Sequence, residues 1–370
     1  MPRIPIAIFS LAALLVSGGC NKTSRPKTTE STKVRIGYVG LTCEASIFAA
    51  YEKGFFRDEG LKPELIKCSW QNYKDTLALG GYDITQHLVM YFLQPIEQGL
   101  DVKFTGGIHR GCLRVQAAND SKINSVADLK GKRIGVPGMG TPPFVFAQRA
   151  LRDNGIDADK DITWKVYRTG ELGLALEKGE VDAVANAEPI GSLLLATGTV
   201  HNVADQATQE PYSDEYCCEV VANGKWMSAN PKAAAAATRA LLRGAKWVQA
   251  NPAAAAQLSV EKKYVAADAK LDAVALSHLN YIPSISKAES SIMTAAKGMQ
   301  AAGLLVPTTN LDELAKRAFV HLDGVTDEWI EQLQVEKVAG GQLPQNWKIT
   351  QLARAVVSEK DGCCRRLATK

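Results

Sequence analysis

Short apolar runs closed by Gly-rich turns alternate with amphipathic stretches along most of this chain, which predicts repeated strand–helix units. Residues 34–39 (VRIGYV) alternate β-branched and polar positions and read as a strand. Residues 42–54 place Ile47, Phe48, Ala50 and Tyr51 on one side, as a helix does, and a strand follows at 62–66. A helix at 72–79, a strand at 82–85 leading into Gln86 and His87, a helix at 88–98 and a strand at 102–108 come next. This alternation predicts a parallel sheet, because parallel neighbours need a long crossover.

A second set begins after 119–128: strands at 133–136, 162–167 and 181–185, with helices at 142–154, 171–178 and 189–197. Near 214–221 a further strand predicts a return to the first set. Beyond it come Ala-rich helices over 230–263 and 266–280, with Pro231 and Pro252 starting helices behind Asn caps. Amphipathic helices at 289–302 and 311–322 precede a polar tail, and no repeat of fixed period is present. The richest segments are VADLKGKRIGVPG (126–138) and LALEKGEVDAVANAEP (174–189). Each joins a helix, a basic or Lys-Gly-Glu turn and a buried strand, the first running into a Gly/Pro-rich loop and the second ending in polar residues. Open α/β sheets hold ligands beyond the carboxyl ends of such strands. The layout suits holding a small molecule and supplies no nucleophile with its base.

At 370 residues the chain is long enough for two lobes, and 46% apolar with 22% charged residues is ordinary for a globular protein. The formal charge of +4 is spread out, which disfavours nucleic acid as a partner. Residues 4–16 form an apolar run too short to span a bilayer, and Ser17-Gly18-Gly19-Cys20 follows. This predicts a secretory signal peptide over 1–20, and Cys20 after small residues resembles the lipobox of bacterial lipoproteins. Ser17 departs from the usual Leu, and the alternative is an ordinary signal with Cys20 incidental. Residues 21–33 are polar and read as a flexible tether. The chain is thus expected to be exported and lipid-anchored to the cell membrane, facing the periplasm or cell exterior. Removing Cys20 from eight cysteines leaves seven, an odd number, so at least one thiol is free, modified or bound.

The stretches at 36–65 (IGYVGLTCEASIFAAYEKGFFRDEGLKPEL), 80–85 (GGYDIT), 126–143 and 176–189 carry a family resemblance. The chain resembles substrate-binding proteins of bacterial ABC importers, in the SsuA/THI5-like branch that binds sulfonates, nitrate and thiamine-precursor pyrimidines. The likeness runs over about 34–325. It implies an α/β, two-lobed periplasmic-binding-protein type II fold with hinge strands and an α-helical C-terminal region. Lobe 1 would take 34–118 and 216–326, lobe 2 would take 119–215, and 327–370 would be a C-terminal extension. The implied role is capture of a small solute between the lobes and delivery to an ABC permease and ATPase. A monomer is expected, with no cofactor and no enzymatic activity.

In this fold the loops after strands line the cleft, so ligand contacts are expected from Thr42, Cys43, Glu44, Gln86, His87, His109 and Cys112. Gly140 and Thr141 are expected to open a helix N-terminus fit for an anion, with Asn186, Glu188, Tyr216, Cys217 and Cys218 completing the set. His109, Cys112, Cys217 and Cys218 are metal candidates, since thiolate with imidazole suits Zn²⁺ or Cu⁺. Three readings of the cysteines stay open: buried structural thiols or a disulfide, a thiol-lined cleft for an organic ligand, or a metal site. Two alternatives to solute capture are a thiol-rich soft-metal-binding lipoprotein and an enzyme of pyrimidine synthesis, whose cysteine-rich motif Tyr216-Cys217-Cys218 resembles only faintly. Arg110 and Arg114 read either as anion-neutralising residues or as surface ion-pair partners, Trp70 and Tyr73 as stacking or capping residues. His201, His278 and His321 fall on predicted helix or loop surfaces with no partner pattern and read as structural residues.

Overall fold

Alternation at the first strand sets the pattern: in β1 (Thr32–Tyr38) Val34 and Ile36 are wholly buried while Thr32 and Lys33 are exposed. The computed structural model describes residues 32–342. The expected signal peptide with Cys20, most of the tether, and the tail from 343 with Cys363 and Cys364 lie outside the described residues. The other strands are β2 (Leu61–Lys67), β3 (Ile84–Leu88), β4 (Val102–Arg110), β5 (Leu113–Ala118) and β6 (Arg133–Val136). They continue with β7 (Thr163–Val166), β8 (Ala183–Ala187), β9 (Val200–Asp205), β10 (Tyr216–Asn223) and β11 (Asn280–Ser284).

Two sheets result, ordered β11-β4-β10-β3-β1-β2 and β7-β6-β8-β5-β9, with helices packed on them. Both are mixed rather than parallel. β10 runs antiparallel to β3 and β4, and β5 runs antiparallel to β8 and β9, because each arrives from the other sheet rather than over a helix. β5 lies in the second sheet, so the chain crosses at Gly111–Cys112, ahead of the boundary expected at 118. The return crossing is the segment between Asp205 and Tyr216. Gly111 has φ +69°, and a Cβ there would lie 2.7 Å from that of Ala207, so the two crossings touch.

The Ala-rich region forms the helices Pro231–Ala250 and Pro252–Glu261. Pro opens each as expected, but neither Asn230 nor Asn251 caps through its side chain. Asn251 instead donates to the carbonyls of Trp247 (3.0 Å) and Glu336 (2.8 Å), tying the tail to the helix. The expected helix at 266–280 stops at His278 and the chain enters β11. One apolar core runs from Val34 and Ile36 through Ile134 and Val136, and a smaller cluster around Leu172, Val181 and Val184 sits apart. A buried pair spans the two sets of elements. Arg149, on the helix Pro142–Asp153, donates to both oxygens of Glu215, just before β10, at 2.6 and 2.7 Å.

Candidate functional site

After β1 the chain turns at Gly40 into a 3-10 turn, Thr42–Glu44, and the helix Ala45–Glu52. Glu44 folds back over this turn. Its carboxylate accepts the backbone N–H groups of Val39 (2.9 Å), Gly40 (2.7 Å) and Leu41 (2.9 Å). Burial pushes Glu44 up to about 7, although these N–H groups favour its charged form. Thr42 donates through its hydroxyl to Asp272 on the helix Ala269–His278. Burial raises Asp272 to about 7 as well, against that hydrogen bond. The Cys43 carbonyl accepts from Gln86 Nε2 (2.5 Å) and from the Tyr281 hydroxyl (2.9 Å), which fixes where its thiol lies.

Four buried free thiols meet here. Cys43 interacts with Cys112 and Cys218, Cys112 with Cys217, and the Cys218 thiol donates to Cys217 with the sulfurs 3.9 Å apart. Adjacent residues of a regular strand face opposite sides, so this closeness needs a cause. β10 is bulged: Tyr216 pairs with Arg110 and Cys218 with His109, leaving Cys217 as the extra residue. The Cys112 thiol sits well below its ordinary value, because Cys217 and Cys43 donate to it. Cys43 is held well above, chiefly as the donor to Cys112, and burial does the same to Cys217 and Cys218.

His109 is fully buried beside this ring of thiols, and burial pulls it down, so it is neutral. Its Nδ1 lies 3.4 Å from the Arg110 carbonyl and its Nε2 has no partner. A ring nitrogen of His109 and the sulfurs of Cys43 and Cys218 all lie within 4.8 Å of one another. His87, drawn down to about 3 by burial, accepts from the Leu88 N–H at 2.9 Å and packs among Tyr73, Tyr91 and Phe92. Leu41, Cys43, Trp70, His87, Cys112 and Cys218 line a cavity of about 20 Å³, closed from the second sheet by Pro142 and Ala187. That is room for one water or one ion in this conformation.

The structure thus brings Cys43, Glu44, Gln86, His87, Cys112, Cys217 and Cys218 to one cavity, with Thr42 and His109 adjoining. Gln86 and His87 sit within β3, and His109 within β4, rather than after the strands. The others lie elsewhere. Gly140 is exposed, and the Thr141 hydroxyl donates to the Gly138 carbonyl at 2.6 Å. The helix behind them opens with Pro142 and Pro143, which have no N–H, so the anion-ready terminus expected there is not formed. Glu188 pairs with Arg114 and accepts from Ser192 N (3.0 Å), and Asn186 donates to Gln116 at 2.8 Å. Tyr216 reaches away to the Ile282 carbonyl, with its ring against Gly107. Arg110 pairs with Asp214 at 3.8 Å, and Arg114 also meets Asp205 at 3.2 Å.

The three histidines read as structural each have a partner. Half-buried His278 approaches Arg114 Nη2 at 3.4 Å, His201 lies 2.8 Å from the Ile123 carbonyl, and exposed His321 faces Glu289 at 3.2 Å. Asp272 and Tyr281 were missed as site residues. The signal for Asp272 is a lone acid among Leu271, Ala273, Val274 and Ala275; Tyr281 carries none.

A model described as the NMT1-like family matches residues 27–261. The nitrate/nitrite binding protein NrtA of Nostoc sp. PCC 7120 is 25% identical over 235 residues, 58% of this chain and 53% of the relative. The chain spans about half the length of the NrtA relatives it matches. Among solved structures, the periplasmic aliphatic sulphonate binding protein SsuA of Escherichia coli superposes with TM-score 0.60 at 18% identity, over 76% of this chain and 96% of that one. The periplasmic nitrate-binding protein NrtA from Synechocystis PCC 6803 does so with TM-score 0.64 at 16% identity, over 78% and 86%. The fold is that of the periplasmic binding proteins.

Proposed function

The chain belongs to the NMT1-like family, and from that premise we propose that it is the solute-binding component of an ABC importer, exported and anchored through Cys20. The observation that carries this reading is the convergence of side chains from both sheets on one small enclosed space at the two crossings. A solute that touches both sheets only when they are closed favours that state by its differential affinity. The relatives are named for nitrate, nitrite and sulphonate, but the groups here are unlike an anion site. The buried guanidinium of Arg114 is taken by Glu188 and Asp205, and the N–H groups after β1 are taken by Glu44. Thiols, neutral imidazoles and carboxyls remain. The solute class is therefore neutral or cationic.

Thermal melting of the reduced chain with nitrate, an alkanesulfonate, a pyrimidine, Zn²⁺ and Cu⁺ tests solute capture. A ligand that binds the native state alone raises Tm, by an amount that grows with the logarithm of its concentration over Kd. At least one member is expected to raise it, and no response to any of them sinks the reading. Separately, Cys20→Ala should move the protein from the membrane to the soluble fraction. Continued membrane attachment rejects the lipid anchor.

A further inference from the structure

We infer that the captured solute is a soft, thiophilic cation of the Cu⁺ or Zn²⁺ type, held by Cys43, Cys218 and His109 with Cys112 and Cys217 beside them. This rests on the solute-capture reading and names the substrate class for the same site. The donor set is the first support. Two sulfurs and an imidazole nitrogen lie within 4.8 Å of one another, all buried. An ion bound at about 2.3 Å to sulfur and about 2.0 Å to nitrogen sets its donors roughly 3.5–4 Å apart. Small side-chain shifts close the set on one ion. Thiolate and imidazole favour soft ions over Mg²⁺ or Ca²⁺, which take oxygen.

The second support is independent of that clustering. His109 Nε2 is buried without a hydrogen-bond partner, and a buried polar atom left so is costly. With the Nδ1 hydrogen directed at the Arg110 carbonyl at 3.4 Å, the Nε2 lone pair is the one left for a ligand. The third is the bulge at Cys217, which brings neighbouring sulfurs to 3.9 Å where a regular strand would part them. The fourth is size and charge. In this closed conformation the cavity of about 20 Å³ has room for one ion, and no cationic side chain lines it. Binding exchanges S–H bonds for metal–sulfur bonds and releases the thiol protons to solvent, with no change of oxidation state. Apparent affinity therefore rises with pH.

The test uses the full chain, reduced and handled anaerobically, titrated with Cu⁺ against a competing chelator and, separately, with Zn²⁺ against a chelating dye. One equivalent of at least one ion is expected to bind. Cys43→Ser and Cys218→Ser should each weaken it by about 100-fold or more, beyond the ~10–100-fold cost of an outer partner. Cys68→Ser, altering a half-buried thiol outside the ring, should leave affinity unchanged. X-ray absorption of the loaded parent chain needs no variant and should show two sulfurs and one nitrogen or more sulfur. A shell of only nitrogen and oxygen, or equal affinity in the two Ser variants and the parent, overturns the inference. If neither ion binds but an organic solute raises Tm, the cation is wrong and solute capture stands. If nothing binds, both fall.

Discussion

Asp272 is the residue whose titration is easiest to isolate. Burial raises it from 3.8 to about 7, so the folded chain keeps its proton where the unfolded chain has lost it. The unfolded state then binds fewer protons, and stability falls as pH rises from about 4 to about 7. Asp272→Asn keeps an oxygen for the Thr42 hydroxyl and removes the charge. Urea melts should show variant and parent alike near pH 4 and the variant more stable by roughly 2–4 kcal/mol at pH 8. The slope becomes shallower without vanishing, since Glu44 also titrates from the same raised position. Equal slopes would mean that Asp272 is ionised and solvated in the folded chain. At this scale the sequence shows which residue types stand near strand ends, and Cys43, Cys112, Cys217 and Cys218 are legible that way. It does not show that the two adjacent cysteines share a side. That depends on β10 slipping one residue against β4, a property of two strands a hundred residues apart.

Strands β6 and β8 are readable because each is a short apolar run behind a glycine turn. β5 is hidden by Arg114 and Gln116, which interrupt its apolar pattern while lying buried. Their partners, Glu188, Asp205 and Asn202, come from elements far along the chain. β11 is masked by Pro283 and by the helix that runs straight into it. Pairing between elements also carries a stability prediction. Arg149 and Glu215 are each 1% exposed and pair with one another, linking the helix Pro142–Asp153 to the start of β10. Glu215→Gln leaves the buried guanidinium with only the more distant Asp153, at 3.7 Å, as countercharge and should cost about 3–5 kcal/mol in urea unfolding. Replacing the pair with Met and Leu should recover much of that loss. A loss below 1 kcal/mol for Glu215→Gln would show that water reaches the pair. Gly298 belongs to the same contact, because a Cβ there would fall on the Arg149 guanidinium.

For the whole molecule, two α/β sheets and their order along the chain are legible, since helix and strand periods differ. Strand direction is not, because it follows from where the crossings lie, and Gly111 brings the first forward of the expected place. The described arrangement is closed around the thiol ring, with Pro142 and Ala187 of the second sheet's side in the same wall as Cys43. Small-angle scattering should give the reduced, ion-free chain a larger radius of gyration than the chain loaded with one equivalent of Cu⁺ or Zn²⁺. Equal radii would show that closure does not depend on the solute. The carboxylate of Glu44 has one further effect on selectivity. Sitting on three backbone N–H groups a few residues from its own Cα, it acts as a tethered competitor, at a local concentration on the order of millimolar or above. Free anions in the surroundings meet a seat already taken by the chain itself.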